Sequence, residues 1–173
     1  MHRILCLDGD ATAPVLAPGE TTILAHICNN QGGWGRGFVK ALSARWPEPE
    51  AAYRRWARGG GEKDPPFELG RVQFVRVTPQ IVIANMLAQN GYKSPVNPVP
   101  LDYDALELAL LRVGEISSKK AMSVSMPMIG TQLAGGDWLR IQALIDRHIC
   151  QRGVPVTVYR LMGPQVTATP GGR

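Results

Sequence analysis

The chain has 173 residues, 45% of them hydrophobic and 19% charged, which suits one domain with a core of its own. Its formal net charge of +5 would suit a polyanionic partner, but basic and aromatic residues do not interleave as a nucleic-acid surface requires. No run approaches the roughly 20 apolar residues that cross a bilayer, and the first six residues lack the charged-then-apolar order of a secretory signal. A cytoplasmic protein with no membrane partner is therefore expected. Cys6, Cys28 and Cys150 have no metal-ligand spacing, and buried free thiols in a reducing compartment are expected of them. No metal and no cofactor are implied.

In chain order, residues 4–7 read as a short buried strand broken by Gly9. Residues 22–28 form a second apolar strand, broken by Asn29, Asn30, Gln31, Gly32 and Gly33. A helix over about 36–45 puts Phe38, Val39 and Leu42 on one face and stops at Trp46-Pro47. A basic amphipathic helix over 49–58 follows, and its Arg54, Arg55 and Arg58 read as a solvated face. Residues 62–69 are a charged, proline-containing loop. Strands at 72–77 and 81–87 are joined at Pro79 by a tight hairpin. A proline-rich loop covers 91–100, and a long helix from Asp102 to about Ser117 buries Leu106, Leu110 and Val113. A strand at 122–126, a helix from 138 to about 150 and a strand at 154–159 complete the pattern. The Gly, Pro and Thr tail over 163–173 is expected to be disordered. This alternation, with one antiparallel hairpin, gives an α/β chain with a mixed sheet and helices on both faces.

Ligands of such folds sit beyond the carboxyl ends of strands. Three loops there have unusual composition. In Asp8-Gly9-Asp10-Ala11-Thr12, Asp10 either holds an amine donor such as that of adenine or caps its own turn. In Gly32-Gly33-Trp34-Gly35-Arg36-Gly37, four glycines expose backbone N–H groups to a ligand without matching a dinucleotide fingerprint or P-loop. Trp34 shields the ligand there or packs on a neighbouring loop. In Ile129-Gly130-Thr131-Gln132-Leu133-Ala134-Gly135-Gly136, a second donor-rich loop leads into a helix that Asp137 caps. Two such loops facing each other would clamp a diphosphate.

The run Leu24-Ala25-His26-Ile27-Cys28-Asn29-Asn30, the loop Gly33-Trp34-Gly35-Arg36-Gly37-Phe38 and the segment Ser125-Met126-Pro127-Met128-Ile129-Gly130 together resemble the macro domain family. Within it, the chain is similar to bacterial members of the terminal ADP-ribose protein glycohydrolase branch, over about residues 3–161. The resemblance implies a three-layer α/β/α sandwich around a mixed six-stranded sheet, spanning residues 1–162, with ADP-ribose across its top. It implies Asp10 on adenine, Ala11 beside the diphosphate, and Leu161 packed on adenine. It also implies Gly33, Trp34, Gly35, Arg36, Gly37 and Phe38 around the phosphates and distal ribose. Ile129, Gly130, Thr131, Gln132, Leu133, Ala134 and Gly135 would form the other phosphate loop.

The family's glycohydrolases use a lysine that attacks the distal ribose and an aspartate in the second phosphate loop. Here the lysine's place falls near Gln89-Asn90, with Lys93 close by, and the aspartate's place holds Ala134. Another hydrolytic branch has an aspartate in the glycine loop, where Arg36 stands. The expectation is hydrolysis of ADP-ribosylated glutamate or aspartate without lysine chemistry, by a water set against the distal ribose. Gln89, Asn30 and His26 are the polar candidates to assist, and each has the alternative of a loop-stabilising hydrogen bond. The alternatives to this function are a non-catalytic ADP-ribose reader, and a hydrolase of ADP-ribose 1″-phosphate or O-acetyl-ADP-ribose. The expected partners are ADP-ribose and ADP-ribosylated proteins, with ADP-ribosylated nucleic acid as a further class, and the expected state is a monomer.

Overall fold

The apolar runs pair side by side. In the computed structural model, which describes residues 3–161, they form strands β1 (Ile4–Asp8), β2 (Thr22–Asn29), β3 (Val72–Arg76), β4 (Ile81–Gln89), β5 (Ser123–Pro127) and β6 (Val156–Arg160). These make one six-stranded sheet in the order β1-β6-β5-β2-β4-β3. Every pair is parallel except β3 with β4. Their hairpin closes at residues 77–81, where Thr78 Oγ1 accepts from the Ile81 amide at 3.0 Å.

Helices α1 (Phe38–Arg45) and α2 (Glu48–Ala57) cover one face of the sheet, and α3 (Tyr103–Lys119) and α4 (Trp138–His148) the other. β2 shows how the layers arise. Its side chains alternate, so Ile23 and Ala25 join the core with Leu106, Leu110 and Ile141, while Leu24 and Cys28 join the core with Leu42, Tyr53 and Trp56. The result is the three-layer α/β/α sandwich with a mixed central sheet. Asp102 caps α3 by accepting from the Ala105 amide at 2.9 Å, and Asp137 caps α4 by accepting from the Leu139 amide at 3.0 Å. Gly114 lies in mid-helix because a Cβ there would overlap the His148 carbonyl at the end of α4.

Four expectations are corrected. The strand at 4–7 is not buried: β1 is a sheet edge paired only with β6, and Leu5 is 53% exposed. Cys6 is consequently exposed, whereas Cys28 and Cys150 are buried free thiols. The helix expected to run to about 150 ends at His148 and is followed by a short 3-10 turn, Cys150–Arg152. The last strand starts at Val156 rather than 154. The tail over 163–173 lies outside the described residues. Among these residues no helix is long and apolar enough to cross a membrane.

Candidate functional site

Five parallel strands end on the same side of the sheet, and the loops that leave them enclose a cleft of about 920 Å³. At a strand spacing of about 4.8 Å, the four intervals from β1 to β4 span roughly 19 Å. Asp10 and Ala11 follow β1, and Arg160 and Leu161 end β6. Pro127 ends β5 and residues 128–134 follow it, residues 33–38 follow β2, Gln89 ends β4, and Tyr92 and Lys93 follow it; all of these line the cleft. His26 of β2 contributes to it as well. Of the residues expected at the site, Asn30 and Gly135 do not line it. Asn30 instead ties two loops together: its amide donates to Asn90 Oδ1 at 3.0 Å and its oxygen accepts from the Gly91 amide at 2.9 Å. Gly135 folds back on its own loop, donating to the Gln132 carbonyl at 3.1 Å.

Asn29 shapes the glycine-rich loop, a role the sequence reading missed. Its Oδ1 accepts from the Gln31 and Gly33 amides at 2.9 and 3.1 Å, and its amide donates to the Gly33 carbonyl at 2.8 Å. Buried Tyr53 donates to the Asn29 carbonyl from below. With Gly33 spent internally, the N–H groups of Trp34, Gly35, Arg36 and Gly37 have no protein partner among the described residues. A Cβ built on Gly35 meets nothing within 4 Å, so that position faces open space. Trp34 is 6% exposed, and its indole N–H donates to Ser43 Oγ at 2.8 Å.

The loop after β5 is built in the same way. Gly136 donates to the Gly130 carbonyl at 2.7 Å and Thr131 Oγ1 to the Met128 carbonyl at 2.9 Å. The N–H groups of Gly130, Thr131, Gln132, Leu133 and Ala134 are left without protein partners among the described residues. The two loops meet: Leu133 Cδ1 lies 3.2 Å from where a Gly37 Cβ would be. Backbone donors from both therefore border one cleft, the arrangement that binds anions.

At the β1 end, Asp10 caps its own turn and keeps one carboxylate oxygen on the cleft side. Its Oδ1 accepts from Thr12 N at 2.8 Å and from Thr12 Oγ1 at 2.7 Å, which makes the self-capped turn. Its Oδ2 lies 3.9 Å from Arg45, and the side chain is 45% exposed. Among the described residues Asp10 is the one carboxylate lining the cleft.

The other end is cationic, with Arg36, Arg54 and Lys93. Arg54 is tied to Glu50 at 3.0 Å. Tyr92 lies so close to Gly33 that a Cβ there would overlap its hydroxyl. Tyr92 and Arg54 were not expected at the site; for Tyr92 the available signal was the aromatic-cation pair Tyr92-Lys93 shortly after β4, and Arg54, inside α2, had none. His26 is 1% exposed, and its Nε2 donates to Asn85 Oδ1 at 2.5 Å. Burial lowers its pKa to about 4 against the opposing bond to Asn85, so the ring is neutral at pH 7. Burial likewise pushes the Cys28 thiol well up, which leaves it a poor nucleophile.

No family model matches the chain. Among solved structures, a Bacteroides thetaiotaomicron protein of unknown function superposes with a TM-score of 0.85 at 42% identity, over 92% of this chain and 99% of that one. A macrodomain protein from Streptomyces coelicolor is 45% identical with a TM-score of 0.78, over 91% of this chain and 98% of that one. Among curated proteins, mouse chromodomain-helicase-DNA-binding protein 1-like is 30% identical over 161 residues, 88% of this chain. The chain spans only 17% of that relative's length. The ADP-ribose 1″-phosphate phosphatase of Candida albicans is 21% identical over 137 residues, 76% of this chain and 85% of that protein.

Proposed function

Since the chain belongs to the macro domain family, we propose that it binds ADP-ribose along the cleft and hydrolyses the ester joining ADP-ribose to a glutamate or aspartate carboxylate. The observation that carries this reading is the pair of facing loops, whose unpartnered backbone N–H groups border the middle of the cleft. A diphosphate is the group that such a double cradle fits. Asp10 then accepts from the adenine amine at the β1 end, Ala11 approaches the diphosphate, and Leu161 packs on the base. The distal ribose lies towards β4.

In the reaction, water adds to C1″ of the distal ribose, the bond from C1″ to the carboxylate oxygen breaks, and the acceptor leaves as a carboxylate while the water's proton passes to solvent. The cations Arg36, Arg54 and Lys93 suit that departing charge. Among the described residues no carboxylate lines the β4 end to serve as a base. Ala134 occupies the second loop, and Lys93 is exposed rather than held in the desolvated surroundings that activate nucleophilic lysines. The protein's contribution is orientation of substrate and water by fixed donors.

A second reading, hydrolysis of ADP-ribose 1″-phosphate, draws on the name of the Candida relative and on the same cations, which would meet the terminal phosphate. Incubation with glutamate-ADP-ribosylated protein and, separately, with ADP-ribose 1″-phosphate tests the two. Release of free ADP-ribose from the modified protein is expected. Release from the phosphate alone selects the second reading, and binding with no turnover of either leaves a reader.

A further inference from the structure

Buried beside the cleft is a row of polar side chains that the proposed reaction does not use. His26, Asn85 and Gln73 are register partners on β2, β4 and β3, and each is at most 3% exposed. The row ends on Asp64, outside the sheet. Its hydrogen bonds have only one consistent direction. The Gln73 amide nitrogen donates to Asp64 Oδ1 at 2.9 Å and to the Ala52 carbonyl at 3.1 Å. Both of those are acceptors, so Gln73 Oε1 must face Asn85. The Asn85 amide nitrogen donates to that oxygen at 3.1 Å and to the Pro49 carbonyl at 3.3 Å. Asn85 Oδ1 is thereby turned to His26 Nε2, where it can only accept. Nε2 carries the proton and Nδ1 carries the lone pair.

That lone pair has no protein partner among the described residues, while the His26 ring lines the cleft. Trp34 and Phe38 pack at the ring, with centroids 5.4 and 5.8 Å away. Both belong to the glycine-rich segment. We propose that His26 Nδ1 is the acceptor for a hydroxyl of the distal ribose, with Asn85 and Gln73 as positioning residues that set its tautomer. The identity of the hydroxyl rests on the ADP-ribose reading. A neutral lone pair repels phosphate oxygens, so it needs a donor, and ADP-ribose offers only its adenine amine and its ribose hydroxyls. The adenine amine is taken by Asp10 at the β1 end, three strand intervals or about 14 Å from β2. In that reading the adenosine ribose stays beside adenine on the β1 side of the diphosphate, so the distal ribose, placed towards β2 and β4, supplies the donor. Nδ1 is buried in the free protein, so the hydroxyl reaches it only if Trp34 or Phe38, which pack at the ring, shifts aside.

Nitrogen-15 NMR of the histidine rings reads the tautomer in the unaltered protein. At pH 7, His26 should show a protonated Nε2 and an unprotonated Nδ1, and saturating ADP-ribose, but not ADP, should shift Nδ1 towards lower frequency. A protonated Nδ1, or an Nδ1 unmoved by bound ADP-ribose, overturns the inference. His26→Gln keeps a donor near the place of Nε2 and removes the Nδ1 acceptor. It should weaken ADP-ribose about five- to tenfold, the worth of one hydrogen bond, and leave ADP affinity as it was. Equal loss for both ligands, or none, also overturns it. If the unaltered protein fails to bind ADP-ribose, the functional reading falls and takes the inference with it. If ADP-ribose binds and Nδ1 stays silent, the inference falls alone.

Discussion

Asp10 is anchored by Thr12 through one carboxylate oxygen, which leaves the other for a ligand. Replacing it with alanine should therefore weaken ADP-ribose by about 1.5–3 kcal/mol, as for a hydrogen bond to a charged group. Asparagine, which keeps the self-capped turn, should lose less. Titration calorimetry of the two variants checks this, and identical losses would mean that the turn alone matters. Lys93 is the opposite case, a cation near the reacting end to which the account gives a shared electrostatic part and no nucleophilic one. Hydrolysis should persist in Lys93→Ala, and borohydride should trap no adduct on the unaltered protein. Loss of turnover at unchanged ADP-ribose affinity would restore lysine chemistry. These positions were visible in the sequence as residue types, but their surroundings were not. The proline-rich stretch placed Lys93 only by its nearness to Gln89-Asn90, and it did not show that Tyr92 borders the cleft beside it.

The two loops carry the binding claim at the scale of elements, and their glycines are not equivalent. Gly35 lacks a positive φ and faces open space, so Gly35→Glu should fold normally by circular dichroism yet lose ADP-ribose binding, because its carboxylate would lie beside the diphosphate. A folded variant that binds normally would move the phosphates elsewhere. Gly37 has φ 77° and stands against Leu133, so Gly37→Ala should lower stability by about 1–2 kcal/mol, read by denaturant unfolding. The sequence shows a cluster of glycines in both places alike. Which glycine serves a turn and which clears a ligand path depends on Leu133, more than ninety residues away along the chain, and on Asn29 folding the loop back on itself. Local pattern cannot carry that information.

For the whole molecule, the alternation of apolar runs was enough to give the mixed sheet and its helical layers, because each run must bury two faces or one. Strand order was less legible. β1 looks like a core strand by composition, and only its place beside β6 at the edge explains why Leu5 and Cys6 are exposed. The polar row from His26 to Gln73 was likewise hidden, since it exists only across three strands in register. It gives the fold a dependence on acidity. His26 has its pKa lowered from 6.5 to about 4, so its contribution is complete above pH 6.5 and is lost as pH falls from there through 4, where the unfolded chain takes up the proton first. The loss is about 3 kcal/mol in total. Unfolding by urea at pH 7 and pH 4.5 should show the decline in the unaltered protein and a flatter profile in His26→Gln; parallel profiles would remove His26 as its cause. The central claim, a cleft that holds both ends of ADP-ribose at once, is tested most directly by titration calorimetry of the unaltered protein against ADP-ribose and AMP. The account predicts one-to-one binding of ADP-ribose, clearly tighter than AMP. Equal affinity for the two, or no heat with ADP-ribose, would contradict it.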